Sequence, residues 1–329
     1  MAIFRCNKCK HIREVASSYI GKSIKCPKCD NKTRIYDTTA YINALIVKHN
    51  KMAQELRILH REHEPEGAAQ DTSNSLSLEG IDIHNTNIFS HPNSYKPIIQ
   101  WFDNKNIQAT IDPNSVDTTG FFDEIAMALG NNYNVLCIVS NQIKYVQNKG
   151  YDNVKIDISK KKKEEIQQIT TFCKMLYDYS FVAKYFYQKK DKIIRLTLQM
   201  APTIKAFFNG IWMEWFTLIT LLNHFRDNNA LSSCARNVCI SFSGGDSKEL
   251  DIFFLTNKGT PVCIECKSGE FRHDIHKYLS LRKRLDLEKQ QFIICIFGLS
   301  SKQTQGMTSM YDLAFTNEKN LVDHINTII

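Results

Sequence analysis

Residues 247–269 read SKELDIFFLTNKGTPVCIECKSG. Positions 250–255 are one apolar run, Asn257, Lys258 and Gly259 carry turn chemistry, and positions 261–266 are a second apolar run, so the stretch predicts a β-hairpin. Three charged residues, Asp251, Glu265 and Lys267, lie inside these apolar strands. Side chains alternate along a strand, which puts Glu265 and Lys267 on one face and Cys266 on the other. A charge in a buried strand is costly unless it is paired or binds a metal. Two carboxylates and an ammonium gathered across a hairpin suit metal-assisted phosphodiester hydrolysis. The carboxylates hold Mg²⁺ or Mn²⁺, and the lysine positions the attacking water and steadies the charge at phosphorus. The bland alternative is an exposed edge-strand ion pair, worth at most about 1 kcal/mol. That alternative predicts a polar flank, yet Val262, Ile264, Phe253, Phe254 and Leu255 are apolar.

Composition bounds the rest. At 329 residues the chain has room for roughly two domains, and 43% hydrophobic with 23% charged residues is ordinary globular composition. No run of about 18 apolar residues occurs, so no membrane partner is expected. The first residues, MAIFRCNKCK, lack the apolar core of a signal peptide. Of eleven cysteines, four form two CxxC pairs and the others are scattered, mostly in apolar runs. An odd total with no secretion signal points to a reducing compartment, the cytoplasm or an organelle stroma, and not to secretion. The net charge of +8 is uneven: residues 1–36 hold nine Lys or Arg against two acidic residues. Nucleic acid is the commonest partner for such a patch, with a solvated basic surface as the alternative.

In chain order, Cys6-x2-Cys9, sixteen residues and Cys26-x2-Cys29 predict a zinc ribbon over residues 1–36. Two CxxC pairs at this spacing in so basic a context favour zinc over a redox motif. A closed site of four thiolates makes that zinc structural. Residues 37–62 follow as a helix with a stripe of Ile42, Leu45, His49, Met52, Leu56 and Leu59. The stripe fits either a short coiled coil, and so a homodimer, or packing against the rest of the chain. Residues 63–95 are polar and aperiodic, a flexible linker. Residues 96–204 read as a mixed α/β domain of unknown role: strands at 97–102, 108–111, 153–158 and 193–198, with helices at 121–130, 135–149 and about 166–181. The run Lys160, Lys161, Lys162, Lys163 reads as a solvated helix start, with a phosphate contact as the alternative.

Residues 205–329 form the C-terminal domain. Its first helix, 205–226, is apolar almost all round, and Glu214 sits in the middle of it. A buried Glu needs a partner. One reading is a salt bridge to a buried basic residue; the other is a further ligand toward the metal beside Asp251, which the downstream hairpin favours. Residues 274–285 form a basic amphipathic helix that leaves Lys277, Arg282, Lys283 and Arg284 free for phosphates. Residues 292–297 (FIICIF) fit a central strand buried on both faces, and 321–328 a closing helix.

A helix with Glu214, a strand with Asp251, a strand with Glu265-Cys266-Lys267, then a helix and an apolar strand: this order resembles the core of the PD-(D/E)xK nuclease superfamily. Leu250 stands where that signature has proline. The resemblance covers roughly residues 205–300. It is closest to nuclease domains of CRISPR-associated ancillary effectors, which share a Gly-x-Trp-x-Glu-like helix (here Gly210, Trp212, Glu214), an ELD strand and an ECK strand. It implies an α/β fold with a restriction-endonuclease-like mixed sheet flanked by helices. It further implies a Mg²⁺-dependent endonuclease with Asp251 and Glu265 as metal ligands, Lys267 as the catalytic lysine and Glu214 as an accessory ligand. DNA is favoured over RNA as substrate. Restriction, phage defence, repair and mobile-element processing all use such a core. The alternative is a non-catalytic binding protein that retains the scaffold.

Overall fold

In the computed structural model, which describes residues 2–6, 8–9, 11–37, 92–112, 120–228 and 230–329, the chain divides into two units, residues 1–72 and 73–329. The helix expected over 37–62 and nearly all of the linker expected over 63–95 lie outside the described residues. No helix among the described residues is long and apolar enough to cross a membrane.

In the first unit β1 (Ala2–Arg5) pairs antiparallel with β2 (Ile12–Val15). Next come β3 (Ser23–Lys25) and β4 (Lys32–Arg34), which form a second hairpin, and β5 (Tyr36–Asp37), which lies against β1. Each CxxC occupies the turn of one hairpin. The two turns close alike, the Cys6 N–H donating to the His11 carbonyl at 2.8 Å and the Cys26 N–H to Asn31 at 2.9 Å. Gly21 takes φ +81° at the turn expected there. The buried apolar core is small: Ala2, Phe4, Cys6, Cys26 and Ile35.

The second unit opens with α1 (Lys96–Asp103) and β6 (Ile107–Ile111). Residues 97–102 were expected as a strand and are helical. Pro97 is tolerated in a first helical turn, and Ile98 and Phe102, four apart, bury one face. There follow α2 (Phe121–Asn131), α3 (Tyr133–Asn148), β7 (Asn153–Asp157), α4 (Lys163–Asp178), β8 (Val182–Gln188) and β9 (Ile193–Leu198). Strands β7, β9 and β8 form a three-stranded antiparallel sheet in that order.

A short helix, α5 (Pro202–Ala206), runs through a π-type turn at Phe207–Ile211 into α6 (Trp212–Asn228). After it come β10 (Leu231–Phe242), β11 (Ser247–Thr256), β12 (Pro261–Lys267), α7 (Ile275–Leu285), β13 (Phe292–Ile296), α8 (Ser301–Met310), β14 (Ala314–Thr316) and α9 (Leu321–Ile325). The predicted hairpin is β11 and β12, and the predicted buried strand is β13, every residue of which is buried.

The fold is mixed α/β, built on a six-stranded sheet in the order β14-β13-β12-β11-β10-β6. Strands β12, β13 and β14 run parallel; β6, β10, β11 and β12 pair antiparallel. Helices cover both faces. Trp101 and Phe102 of α1 pack on Phe253, and Phe225 of α6 packs on Phe254, the next residue and therefore the opposite face.

The boundary expected at 204/205 is not there. Strand β6 pairs with β10, helix α2 packs on α6, and one continuous core spans both segments. Residues 96–204 are therefore part of the same body as 205–329, because neither half of the sheet buries its faces alone.

Candidate functional site

The hairpin register sets Ile252 opposite Ile264 and Phe253 opposite Cys263, which brings Asp251 level with Glu265 on one face. Lys267 reaches back between them. Its Nζ lies 2.9 Å from Asp251 Oδ2 and 3.1 Å from Glu265 Oε2. Asp251 Oδ2 also accepts the Cys266 backbone N–H at 2.7 Å. Glu265 is buried, and its Oε1 has no hydrogen-bond partner.

The electrostatics follow from this crowding. Burial, then the negative charge of Asp251, pushes the Glu265 carboxyl up to about 8 against the opposing pull of Lys267. Burial works to lower Lys267, but Glu265 and Asp251 outweigh it and hold the ammonium well above its ordinary value. The centre is a pair of carboxylates, Glu265 buried and Asp251 partly buried, sharing one cation.

Glu214 stands on α6 and its Oε2 accepts from Arg236 Nη1 at 3.1 Å. Arg236 is itself buried, its guanidinium 3.8 Å from the centre of the Trp215 ring. The salt-bridge reading of Glu214 is thus the arrangement present. Burial, then Asp251, pushes its carboxyl up to about 7 in spite of Arg236. Arg236 is paired in register with Ile252, so it projects from the face opposite Asp251 and Glu265. Glu214 and Asp251 meet at the wall of one open cleft of about 390 Å³, which Lys267, Gly210 and Lys144 also line. Gly210 takes φ +155° inside the π-type turn, a conformation closed to most other residues. Lys144 of α3 donates to the Asn209 carbonyl at 3.2 Å across this cleft.

Sequence reasoning missed Arg236 and Lys144. An arginine inside LSSCARNVCISF was a signal for the first, since burial of that run demands a partner; nothing in the sequence pointed to the second.

The basic helix is correctly placed, but its side chains are not free. Lys277 pairs with Asp274 at 2.6 Å, Arg282 with Asp312 and the Leu287 carbonyl, and Arg284 with Asp246. Arg284 also lies 3.5 Å from the Phe242 ring centre. Asp312 and Asp246, from other parts of the chain and invisible in the helix sequence, took up the two arginines, while Lys277 is held by Asp274 at the start of the helix itself. Lys283 remains exposed.

In the first unit the four thiols converge. Cys6 and Cys29 sulfurs are 3.4 Å apart, Cys9 and Cys26 sulfurs 3.5 Å, and all four lie within 4.8 Å of one another. Tetrahedral Zn–S bonds of about 2.3 Å require sulfurs about 3.8 Å apart, so the cage fits zinc. The thiols are electrostatically split: the Cys9 backbone N–H draws Cys6 down to about 6, while burial and neighbouring sulfurs push Cys29 up to about 12 against the Asn31 N–H. A divalent cation removes that conflict. Among the described residues no carboxylate trio is gathered so tightly. Of the three acids, Lys267 bridges Asp251 and Glu265, and Arg236 pairs with Glu214.

Fold and sites together define a mixed α/β protein with a Cys₄ knuckle and a charged hairpin at the wall of a cleft. No family model matches the chain, and no curated protein matches it. Among solved structures it is similar to protein VC1899 from Vibrio cholerae, with a TM-score of 0.49 and 17% sequence identity, over 70% of this chain and 60% of that one. The chain thus spans less than two thirds of the length of that protein.

Proposed function

We propose that this protein is a metal-dependent nuclease of the PD-(D/E)xK type that hydrolyses phosphodiester bonds of nucleic acid, DNA in preference to RNA. The observation that carries the reading is Lys267, whose Nζ bridges Asp251 and Glu265 at 2.9 and 3.1 Å beside an open cleft. A bland ion pair needs one carboxylate; here two are held together, one of them buried, and the unpartnered Glu265 Oε1 leaves donor capacity for a cation. These residues fit a Mg²⁺ or Mn²⁺ ion held by Asp251 and Glu265, with Glu214 as accessory ligand through the Oε1 that Arg236 does not take.

A bound divalent cation supplies Lewis-acid polarisation of the phosphate and a more acidic water. Lys267 orients that water and offsets the charge that builds on the phosphoryl oxygens. Water adds to phosphorus, the bond to the leaving sugar oxygen breaks, and that oxygen ends protonated. The basic zinc ribbon aids substrate binding through phosphates.

The test is an assay of plasmid, single-stranded DNA and RNA with Mg²⁺, Mn²⁺ or EDTA, beside Lys267→Ala and Asp251→Ala. Metal-dependent cutting lost in either variant is expected, by 10²-fold or more on the scale of about 3 kcal/mol for one electrostatic group. Equal background cutting in every variant, or none in the wild type, returns the protein to the alternative of a binding protein on an inactive nuclease scaffold.

A further inference from the structure

The three-stranded sheet β7-β9-β8 has a clean inside and outside. Val154, Ile156, Ile194, Leu196 and Leu198 are buried toward α3 and α4. The outer face presents a row fixed by register: Lys155 opposite Arg195, and Arg195 opposite Phe186. One step along, Lys184 stands opposite Thr197, which stands opposite Asn153. Phe186 is 60% exposed, and Lys155, Lys184 and Arg195 are exposed around it. One exposed Phe alone needs no explanation. One in the same cross-strand row as two cations, on strands about 4.8 Å apart, is a stacking surface beside backbone-phosphate contacts.

Tertiary structure adds charge to this face. The Ile158 N–H donates to the Lys192 carbonyl at 3.0 Å. That bond joins the β8–β9 turn, with Lys189, Lys190 and Lys192, to the start of the Lys160–163 run, although some thirty residues separate them in sequence. Residues 151–165 and 182–198 together hold ten basic side chains against five acidic ones. Residues 37–329 as a whole hold 33 against 32, so the basic excess of this part of the chain is local to these two segments. Of the acids, Asp157 is capped by the Ser159 N–H and Glu165 is paired with Lys161.

We propose that this face binds single-stranded nucleic acid, stacking an unpaired base on Phe186 and holding the backbone through Lys155, Arg195 and Lys184, with the lysine-rich turns extending the path. A duplex hides its base faces, whereas a single strand offers them to an aromatic ring. The surface stands whether or not the Asp251–Lys267 centre cuts.

The test is fluorescence anisotropy of labelled (dT)20, (U)20 and a 20-base-pair duplex on the full chain in magnesium-free buffer, which reads binding without cleavage. Phe186→Ala should weaken one or both single strands by about 5- to 150-fold, the range of one lost base stack, with duplex affinity changed less than twofold. Phe186→Trp should retain the affinity. Lys155→Glu with Arg195→Glu should weaken every arm and flatten its salt dependence. Thermal midpoints check folding, and all three positions are exposed. Single-strand affinity within twofold of wild type in Phe186→Ala overturns the proposal, whether or not the charge reversal weakens binding. So does failure of the wild type to bind either single strand.

Discussion

Lys267 is the residue on which the hairpin's electrostatics turn. It is 30% exposed, and it is the ammonium between two carboxylates whose side chains are 16% and 6% exposed. Replacing it by alanine leaves like charges facing each other, and should destabilise the protein by about 3 kcal/mol, the low end for a broken buried pair because of that exposure. Urea unfolding measures this. If Asp251 and Glu265 hold a divalent ion, millimolar Mg²⁺ should raise the melting midpoint of Lys267→Ala and leave that of Asp251→Ala unmoved, a readout independent of cutting. Gly210 makes a second prediction at this scale. Its φ of +155° is open to glycine and strained for any L side chain, though space for a Cβ exists, with Met213 Cε at 3.5 Å. Gly210→Ala should cost about 1–3 kcal/mol in thermal or urea unfolding. The charged residues of the hairpin were legible in sequence because charge is conspicuous in an apolar run. Arg236, the partner of Glu214, was hidden because strand β10 has no alternating pattern: most of its residues are buried whichever face they occupy.

Among the elements, α2 and α6 pack closely where Gly130 meets Phe216. A Cβ on Gly130 would lie 2.1 Å from Phe216 Cδ2, far inside any permitted contact. Gly130→Ala should therefore push the helices apart at a cost of about 1–3 kcal/mol. Phe216→Ala should recover part of that loss in the double variant, since it vacates the same space; a double-mutant cycle of urea midpoints measures the coupling. Periodicity made α2, α3 and α4 readable, and an unbroken apolar run did the same for β13. It failed at residues 97–102, where six apolar and polar residues fit a strand or a helix equally and packing of Trp101 and Phe102 on Phe253 decided for the helix. It also failed at β8, where the outward Phe186 and a bulge between Val182 and Lys184 break the alternation that would mark a strand.

For the molecule as a whole, the two units differ in what holds them. The second has a core running through all its elements, whereas among the described residues of the first the buried core is Ala2, Phe4 and Ile35 with two of the four thiols, Cys6 and Cys26. So small a core does not stabilise a fold by itself. Chelation of zinc, or Cys26→Ser, should unfold the first unit and leave the second intact. Limited proteolysis would then remove the N-terminal residues and spare a fragment covering 92–329, whose melting transition persists. A metal analysis should give one zinc per chain in the wild type and less in Cys26→Ser.

The sequence by itself determined the mixed α/β class, the cysteine quartet and the charged hairpin, because each rests on local chemistry: spacing, alternation, and ionisable residues in apolar runs. Tertiary structure decided that residues 96–204 share a sheet and a core with the hairpin, since β6 finds its partner in β10 more than a hundred residues later. It decided that Glu214 meets Arg236, that two arginines of α7 are taken by distant acids, and that two lysine-rich turns come together at one end of a sheet. Pairing across the chain depends on which groups the packed core brings within a few ångströms, and no short window of sequence carries that distance.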